Sequence, residues 1–202
     1  MKKILLSLLI LSFSFSVQAL SSGAQALKDK LAVFEYINAT FVQRVTSSEG
    51  KLLNESTGEL TISRPGKFHW QVLTPEEELI VSDGKTIWYY TPFIEQVTLI
   101  NFSDAINGTP FTLLAGATNE QWQDYVVEQK GDHFIVTNPQ QQQATTFTFE
   151  FDKNNKVRKF VVIEELGQQS EFILTYKKNS KAVNPSLFNF EIPNGVEVDD
   201  QR

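Results

Sequence analysis

The sequence contains no cysteine among its 202 residues. A chain without cysteine forms no disulfide bond, no thiolate metal site and no lipid anchor through a cysteine. Its stability must therefore come from a hydrophobic core. A chain of this length can bury roughly 70% of the surface that it exposes when unfolded, which is enough for a core of ordinary size.

An excess of positive charge is also lacking. Lysine and arginine number 18 against 24 aspartates and glutamates, which gives a net charge of −6. Binding to a phosphate backbone depends on basic residues that displace counterions from it. We therefore expect no nucleic acid among the partners.

The local signatures of catalysis are missing as well. The sequence has no G-x-S-x-G, no H-E-x-x-H and no phosphate-binding glycine loop, so no catalytic residue, cofactor or metal site is predicted. His69 and His133 alternate with the apolar residues of their strands and are expected on the solvent side. Carboxylates are scattered along the chain, and strands can bring distant ones together. A hydrolase of lipid or glycan thus stays open as the weakest interpretation.

Long apolar runs are confined to the amino terminus. Lys2 and Lys3 precede an apolar run over residues 4–17, and Val-Gln-Ala at 17–19 is a small-x-small cleavage site. This pattern predicts a cleaved secretory signal peptide over residues 1–19, and the run is too short for a transmembrane helix. We expect an exported protein with one domain over residues 20–202 that is not anchored in a membrane.

The remaining chain is predicted to be mainly β, in the α+β class. Ser22 and Gln25 fit a capping box, and apolar residues at helical spacing predict one helix to about Asn38. From Phe41 onward the apolar residues alternate with polar ones between turn residues. That alternation is typical of a large antiparallel meander.

One segment, residues 101–118, interrupts the alternation. Ser103 and Thr109 are possible caps of two short helices that stop near Gly108 and Gly116. The segment is rich in apolar side chains, which favours either a movable flap over the sheet or a buried helical hairpin. The pattern alone does not decide between the two.

Aromatic residues are abundant, with 16 phenylalanines, three tryptophans and five tyrosines. Several lie two apart and so share one face of a strand, as Phe68 and Trp70 do. A curved sheet can need such residues for a bulky core. The same residues can also line a cavity for an apolar ligand.

Arg64 falls on an apolar face that it shares with Leu60, Ile62, Phe68 and Trp70. A buried guanidinium has five N–H donors and needs acceptors for them, such as the free carbonyls at the end of a short helix. Alternatively, Arg64 extends to water beside the turn that follows it.

The motifs RPGKFHW, VSDGKTIWYYTPFIEQVT, NGTPFTLLA and IPNGVEVDDQR, with Phe41-Val-Gln43 before them, resemble the LolA family of periplasmic outer-membrane lipoprotein carriers. The resemblance covers essentially the whole chain after the signal peptide. It implies an unclosed antiparallel β-barrel with a helical lid, without enzymatic activity and without a cofactor. It also implies a monomer in the periplasm that takes triacylated lipoproteins from the inner-membrane LolCDE complex and delivers them to the outer-membrane receptor LolB.

The resemblance gives the residues above expected roles. Arg64 matches the arginine that latches the lid in this family, and we expect backbone carbonyls of residues 103–116 as its partners. The expected acyl-chain-binding residues are Leu60, Ile62, Phe68, Trp70, Phe147, Phe149, Phe151 and Phe190. The expected lid residues are Leu27, Leu31, Phe102, Ile106, Phe111 and Leu114. A periplasmic binding protein for a free fatty acid or lipid is the alternative, since it would share the cavity but not the partners.

Overall fold

The computed structural model describes residues 20–140, 145–178 and 183–202; the predicted signal peptide lies outside these ranges. The described helices are α1 (Ser22–Ala32), α2 (Phe102–Ile106), α3 (Pro110–Leu114) and α4 (Asn119–Gln123), with 3₁₀ turns at Pro92–Ile94 and Pro185–Phe188. The described strands are β1 (Tyr36–Thr46), β2 (Leu52–Ser63), β3 (Lys67–Thr74), β4 (Glu78–Asp83), β5 (Thr86–Thr91), β6 (Gln96–Asn101), β7 (Val126–Lys130), β8 (His133–Thr137), β9 (Thr146–Phe151), β10 (Val157–Ile163), β11 (Gln169–Tyr176) and β12 (Glu197–Asp200).

The twelve described strands form one sheet that curls without closing. Their order is β12-β6-β5-β4-β3-β2-β1-β11-β10-β9-β8-β7, so two meanders meet where β1 pairs with β11. This arrangement confirms the predicted mainly β, unclosed barrel. The antiparallel rule has one exception, because β12 runs parallel to β6.

The alternation of side chains divides the sheet into a concave and a convex face. Phe41 of β1, Phe160 of β10 and Phe172 of β11 belong to the concave face and to the main core, and each is less than 8% exposed. The helices close over this face. The interior of the curled sheet is therefore the hydrophobic core that a chain without disulfides requires.

Helix α1 lies against the edge strand β7. Gly23 is placed so closely that a Cβ atom there would lie 2.4 Å from the carbonyl oxygen of Val127, which leaves no room for any side chain. The predicted cap was displaced by one residue, because the Ser21 hydroxyl accepts the amide of Ala24 at 3.2 Å. The predicted end near Asn38 was also wrong. The alternating residues from Ile37 onward pair as strand β1 instead.

Two short helices, α2 and α3, form the predicted insertion, which crosses the concave face. Thr109 precedes α3 with Pro110 at the first helical position, as expected, whereas Ser103 lies inside α2 and does not cap it. Helix α4 was not predicted. Its signal was a capping box, in which the side chains of Thr118 and Gln121 bond each other's backbone amides.

The carboxyl-terminal segment packs on the convex face of β3–β5. Residues 187–192 have the alternation of a strand but do not form one, because Asn184 and Pro185 begin a 3₁₀ turn there. Phe190 packs outside the sheet, with ring centroids 6.5 Å from Trp88 and 5.6 Å from Tyr90. The expectation that Phe190 binds acyl chains was therefore wrong, since it lies on the opposite face from the cavity.

Candidate functional site

A cavity of about 410 Å³ lies between the concave face of β3–β6 and the two helices α2 and α3. Most of its wall is apolar. Its lining consists of Gln43, Phe68, Trp70, Val72, Glu78, Ile80, Ile87, Tyr89, Ile100, Ala105, Ile106, Thr109, Phe111 and Phe172. Such a cavity can bind an apolar group that is brought out of water.

Aromatic rings form the floor of this cavity. Phe41 stacks on Trp70 at 4.0 Å, and the Trp70 ring meets Phe172 edge to face at 5.3 Å. Phe160 stacks on Phe172 at 4.5 Å. From the lid, Phe111 enters this group at 6.2 Å from Phe160. The half-buried Phe111 ring thus occupies space that another apolar group could take.

Arg64 joins the ends of two helices. Its Nε donates to the Leu114 carbonyl at 2.9 Å and its Nη2 to the Leu113 carbonyl at 3.2 Å, both in the last turn of α3. Its Nη1 donates to the carbonyl of Leu31, in the last turn of α1. These carbonyls lie in last turns, where the regular helical bonds end, and those of Leu31 and Leu113 also accept from the amides of Phe34 and Gly116 at 3.3 and 3.4 Å. Burial lowers the pKa of Arg64 from its ordinary value, and the guanidinium, which is always protonated in proteins, finds its acceptors in these carbonyls.

The turn after β2 fixes the position of this guanidinium. The amide of Gly66 donates to the carbonyl of Ala115 at 2.9 Å, so the backbone of the turn also contacts α3. The stem of Arg64 passes Gly116, whose φ of +103° favours glycine. The buried hydroxyl of Ser82 donates to the Gly66 carbonyl at 2.9 Å and ties the turn to β4.

Two threonines hold α2 and α3 together. The hydroxyls of Thr109 and Thr112 both donate to the carbonyl of Ile106, at the end of α2. At its start, α2 is fixed to the sheet by a bond of 2.8 Å from the Phe102 amide to the Lys85 carbonyl. We call α2 and α3 together the flap, since they share these bonds and cover the cavity as one unit.

The expected site residues fall into three groups. Phe68 and Trp70 line the cavity from the sheet, and Ile106 and Phe111 line it from the flap. Phe102 is half-buried and lies 6.4 Å from the ring of Phe68. Apart from Phe190, the other apolar residues are buried in the same core outside the cavity wall; these are Leu27, Leu31, Leu60, Ile62, Leu114, Phe147, Phe149 and Phe151.

Several residues of the cavity wall were not predicted from the sequence. Glu78 follows Glu76 and Glu77, yet it begins β4 and shares the face of Ile80. Tyr89 faces the cavity from β5. Their signal was the strand alternation, in which Glu78 shares a face with Ile80 and Tyr89 shares one with Ile87. The bond from Arg64 to the Leu31 carbonyl could not be predicted, because a backbone carbonyl leaves no trace in the pattern of side chains.

Two other kinds of site find no support in residues 20–140, 145–178 and 183–202. Across those ranges, histidines, aspartates and glutamates do not gather in groups of three or more that could hold a metal ion. The helices of the same ranges are also too short or too polar to cross a membrane.

Comparison with known proteins agrees with this architecture. A family model described as "Outer membrane lipoprotein carrier protein LolA" matches residues 33–191. Proteins named outer-membrane lipoprotein carrier protein are 58% identical in Psychromonas ingrahamii, over 100% of both chains, and 44% identical in Vibrio cholerae, over 98% of both. A crystal structure of an uncharacterized conserved protein from Thermus thermophilus shares the fold, with a TM-score of 0.56 at 15% identity over 88% of this chain and 99% of the other. The chain therefore belongs to the LolA family of outer-membrane lipoprotein carrier proteins.

Proposed function

We propose that this protein is a soluble periplasmic carrier that holds the acyl chains of lipoproteins in the cavity under the flap. The single observation that carries the proposal is an apolar cavity covered by a flap whose end is bonded to one half-buried arginine. The role requires no bond-making step, in keeping with a family of transport chaperones. The cargo would be triacylated lipoproteins.

The packing of the flap indicates that it must move to admit such a cargo. Three acyl chains contain on the order of 45 methylenes. In the closed state the Phe111 ring lies 5.3 Å from Trp70 and 5.9 Å from Phe68, so it fills the space above the cavity floor. Cargo binding would therefore displace the flap, and Phe111 with it.

Competition between flap and cargo also explains how release can occur without a nucleotide. Exposing about 45 methylenes to water costs roughly 35 kcal/mol, at about 0.8 kcal/mol each. A site that recovered all of this free energy would not release its cargo, since the strongest non-covalent complexes reach only about −20 kcal/mol. Closure of the flap buries Ile106 and Phe111 and restores the Arg64 bonds, so the empty state recovers part of the binding free energy.

The setting of this function follows from the amino terminus and the family. Residues 1–19 would be removed on export, and residues 20–202 would act as one domain and as a monomer. The inner-membrane LolCDE complex would supply the lipoprotein and the outer-membrane receptor LolB would accept it. Of the site residues, Arg64 would latch the flap, and Phe68, Trp70 and Phe111 would contact the acyl chains.

Release from membranes tests the proposal. Inner-membrane vesicles that contain LolCDE and a labelled lipoprotein are incubated with ATP and the purified protein, and the label is measured in the supernatant after centrifugation. We expect transfer of the label into the supernatant only when the protein is present. Retention of all label in the pellet, with active LolCDE, would contradict the proposal.

Mass spectrometry of the purified protein separates the carrier from the alternative. An intact acylated protein or peptide in the cavity supports a lipoprotein carrier. Free fatty acid or phospholipid alone, together with a negative release assay, would favour a binding protein for free lipids.

A further inference from the structure

The cavity has a polar end and an apolar end. Glu78, Tyr89 and Gln43 line it near the turn between β3 and β4, where Glu78 pairs with Val72 in the sheet register. The opposite end lies under the flap, where Ile106 is 4% exposed. The large polar side chains of the wall therefore lie toward one end of the strands, while the Thr109 hydroxyl of the flap donates to the Ile106 carbonyl.

The polar end is the one that meets solvent. Glu78 lines the cavity yet is only half-buried, and residues 73–77, which lead up to it, are all exposed. An amphiphile in the cavity would therefore place its acyl chain toward Ile106 and its head group beside Glu78. This direction minimises both the exposure of apolar surface and the burial of polar groups.

The charge at this end is negative. Among the described residues of the cavity wall, Glu78 is the one carboxylate, and neither lysine nor arginine occurs. Glu76 and Glu77 are exposed in the turn just before it. The pKa of Tyr89 is raised, first by burial and then by the charge of Glu78 and a hydrogen bond with it. The Glu78 carboxylate thus acts on groups inside the cavity as well as on solvent.

We infer that Glu78 selects against anionic lipids, so that the cavity prefers amphiphiles with an uncharged head group. The inference rests on the proposed function only for the identity of the cargo. The acylated amino terminus of a triacylated lipoprotein is uncharged, because its amine is bound as an amide and its glycerol as esters. Fatty acids and phosphatidylglycerol carry a negative charge at the same place. A carrier that moves between membranes would thereby avoid being filled with their free anionic lipids.

The expected selectivity is substantial. Two like charges at about 6 Å in a partly buried site repel each other strongly enough to change affinity about tenfold or more, after screening by salt. Because the screening grows with ionic strength, the preference should shrink in concentrated salt. A preference that came from shape alone would not respond to salt in this way.

Binding of two lipids with the same acyl chain tests the inference. The probes are monopalmitoylglycerol, which is uncharged, and palmitoyl-lysophosphatidylglycerol, whose phosphodiester stays ionised, with affinities measured by tryptophan fluorescence below their micellar concentrations. The measured quantity is the ratio of the affinity for the uncharged lipid to the affinity for the anionic lipid. This ratio should be about tenfold or more higher in the wild type than in Glu78→Gln. Glu77→Gln, with the same change of charge at an exposed neighbour, should keep the wild-type ratio of affinities.

Equal ratios in the wild type and Glu78→Gln would overturn the inference, provided that both proteins show the same thermal unfolding. An equal change of ratio in Glu77→Gln would also overturn it, because the effect would then belong to the net charge. The release assay distinguishes this inference from the proposed function. If the ratio depends on Glu78 but no lipoprotein is released by the wild type, the lipid selectivity stands and the carrier function fails.

Discussion

Phe111 of the flap meets Trp70 of the sheet edge to face, with ring centroids 5.3 Å apart and ring planes at 89°. The same Phe111 ring lies 5.9 Å from Phe68. Aromatic pairs in this geometry attract each other beyond the burial of their area. The closed flap is therefore held by a contact that the cargo itself must replace.

Replacing Phe111 by alanine should weaken the closed state. The variant loses a half-buried ring and its aromatic contacts, and we expect the free energy of unfolding to fall by about 2 kcal/mol. Urea unfolding measures this change. The control is Phe93→Ala, because Phe93 is 82% exposed and should change stability by less than about 0.5 kcal/mol. Equal effects of the two changes would contradict the role given to Phe111.

Replacing Arg64 by leucine should separate loading from delivery. The variant lacks the bonds to Leu31, Leu113 and Leu114, so the empty closed state is less stable and competes less with the cargo. We expect loading to persist while transfer to LolB slows about tenfold or more, given the strength of hydrogen bonds to a charged group. A reconstituted transfer assay measures the rate.

The matched control for this arginine is Arg44→Leu. Arg44 is exposed on β1 and its Nε pairs with Glu55 at 2.7 Å, away from the flap. Exposed ion pairs contribute little to stability, so the transfer rate should stay near that of the wild type. Wild-type transfer by the Arg64 variant would exclude the latch.

Replacing Gly23 by alanine should displace α1. Its Cβ would approach the Val127 carbonyl to 2.4 Å, so the helix must shift away from β7. We expect a loss of about 2 kcal/mol in the free energy of unfolding, typical of overpacking. Gln25→Ala, on the exposed side of the same helix, is the control. A stability for Gly23→Ala as high as that of the control would show that the contact is not tight.

His69 should make the fold less stable in mild acid. Burial lowers its pKa in the folded state, so the unfolded chain takes up a proton first as the pH falls. Stability should therefore be highest above the ordinary histidine pKa and decline between about pH 7 and pH 5, by less than about 1 kcal/mol because the ring is partly exposed. His69→Gln should flatten this decline in urea unfolding at several pH values. His133→Gln, at an exposed position, should leave it in place; an unchanged decline in His69→Gln would refute the assignment.

Strand alternation allowed much of the sheet to be predicted, because residues such as Phe68 and Trp70 face one way whatever lies beside them. The partners of each strand could not be predicted, since the pairing of β1 with β11 joins residues far apart in the sequence. The carboxyl-terminal segment was misjudged for a related reason. Phe190 lies in an alternating pattern like that of a core strand, but its ring packs in a second apolar layer outside the sheet.

In the candidate site, too, contacts between distant segments could not be predicted from the sequence. The sequence indicated that the Arg64 guanidinium needed carbonyl acceptors, and the hydrogen bonds to α3 are of that kind. The bond to Leu31 depends on how α1 packs across β7, which no local pattern contains. Glu78 was not predicted in the cavity wall because three consecutive glutamates carry no alternation that marks where β4 begins.

The close packing of α1 on β7 determines which part of the cover can open. An unclosed sheet has two edges whose free backbone groups can pair with another chain, and such edges invite aggregation. The β12 edge is protected by the charges of Glu197, Asp199 and Asp200, while the β7 edge lies beside α1. Lifting α1 would uncover that second edge, so we expect the flap to swing while α1 remains in place. Arg64 then connects a hinged part to a fixed one, and the protein can open for its cargo without becoming a template for its own polymerisation.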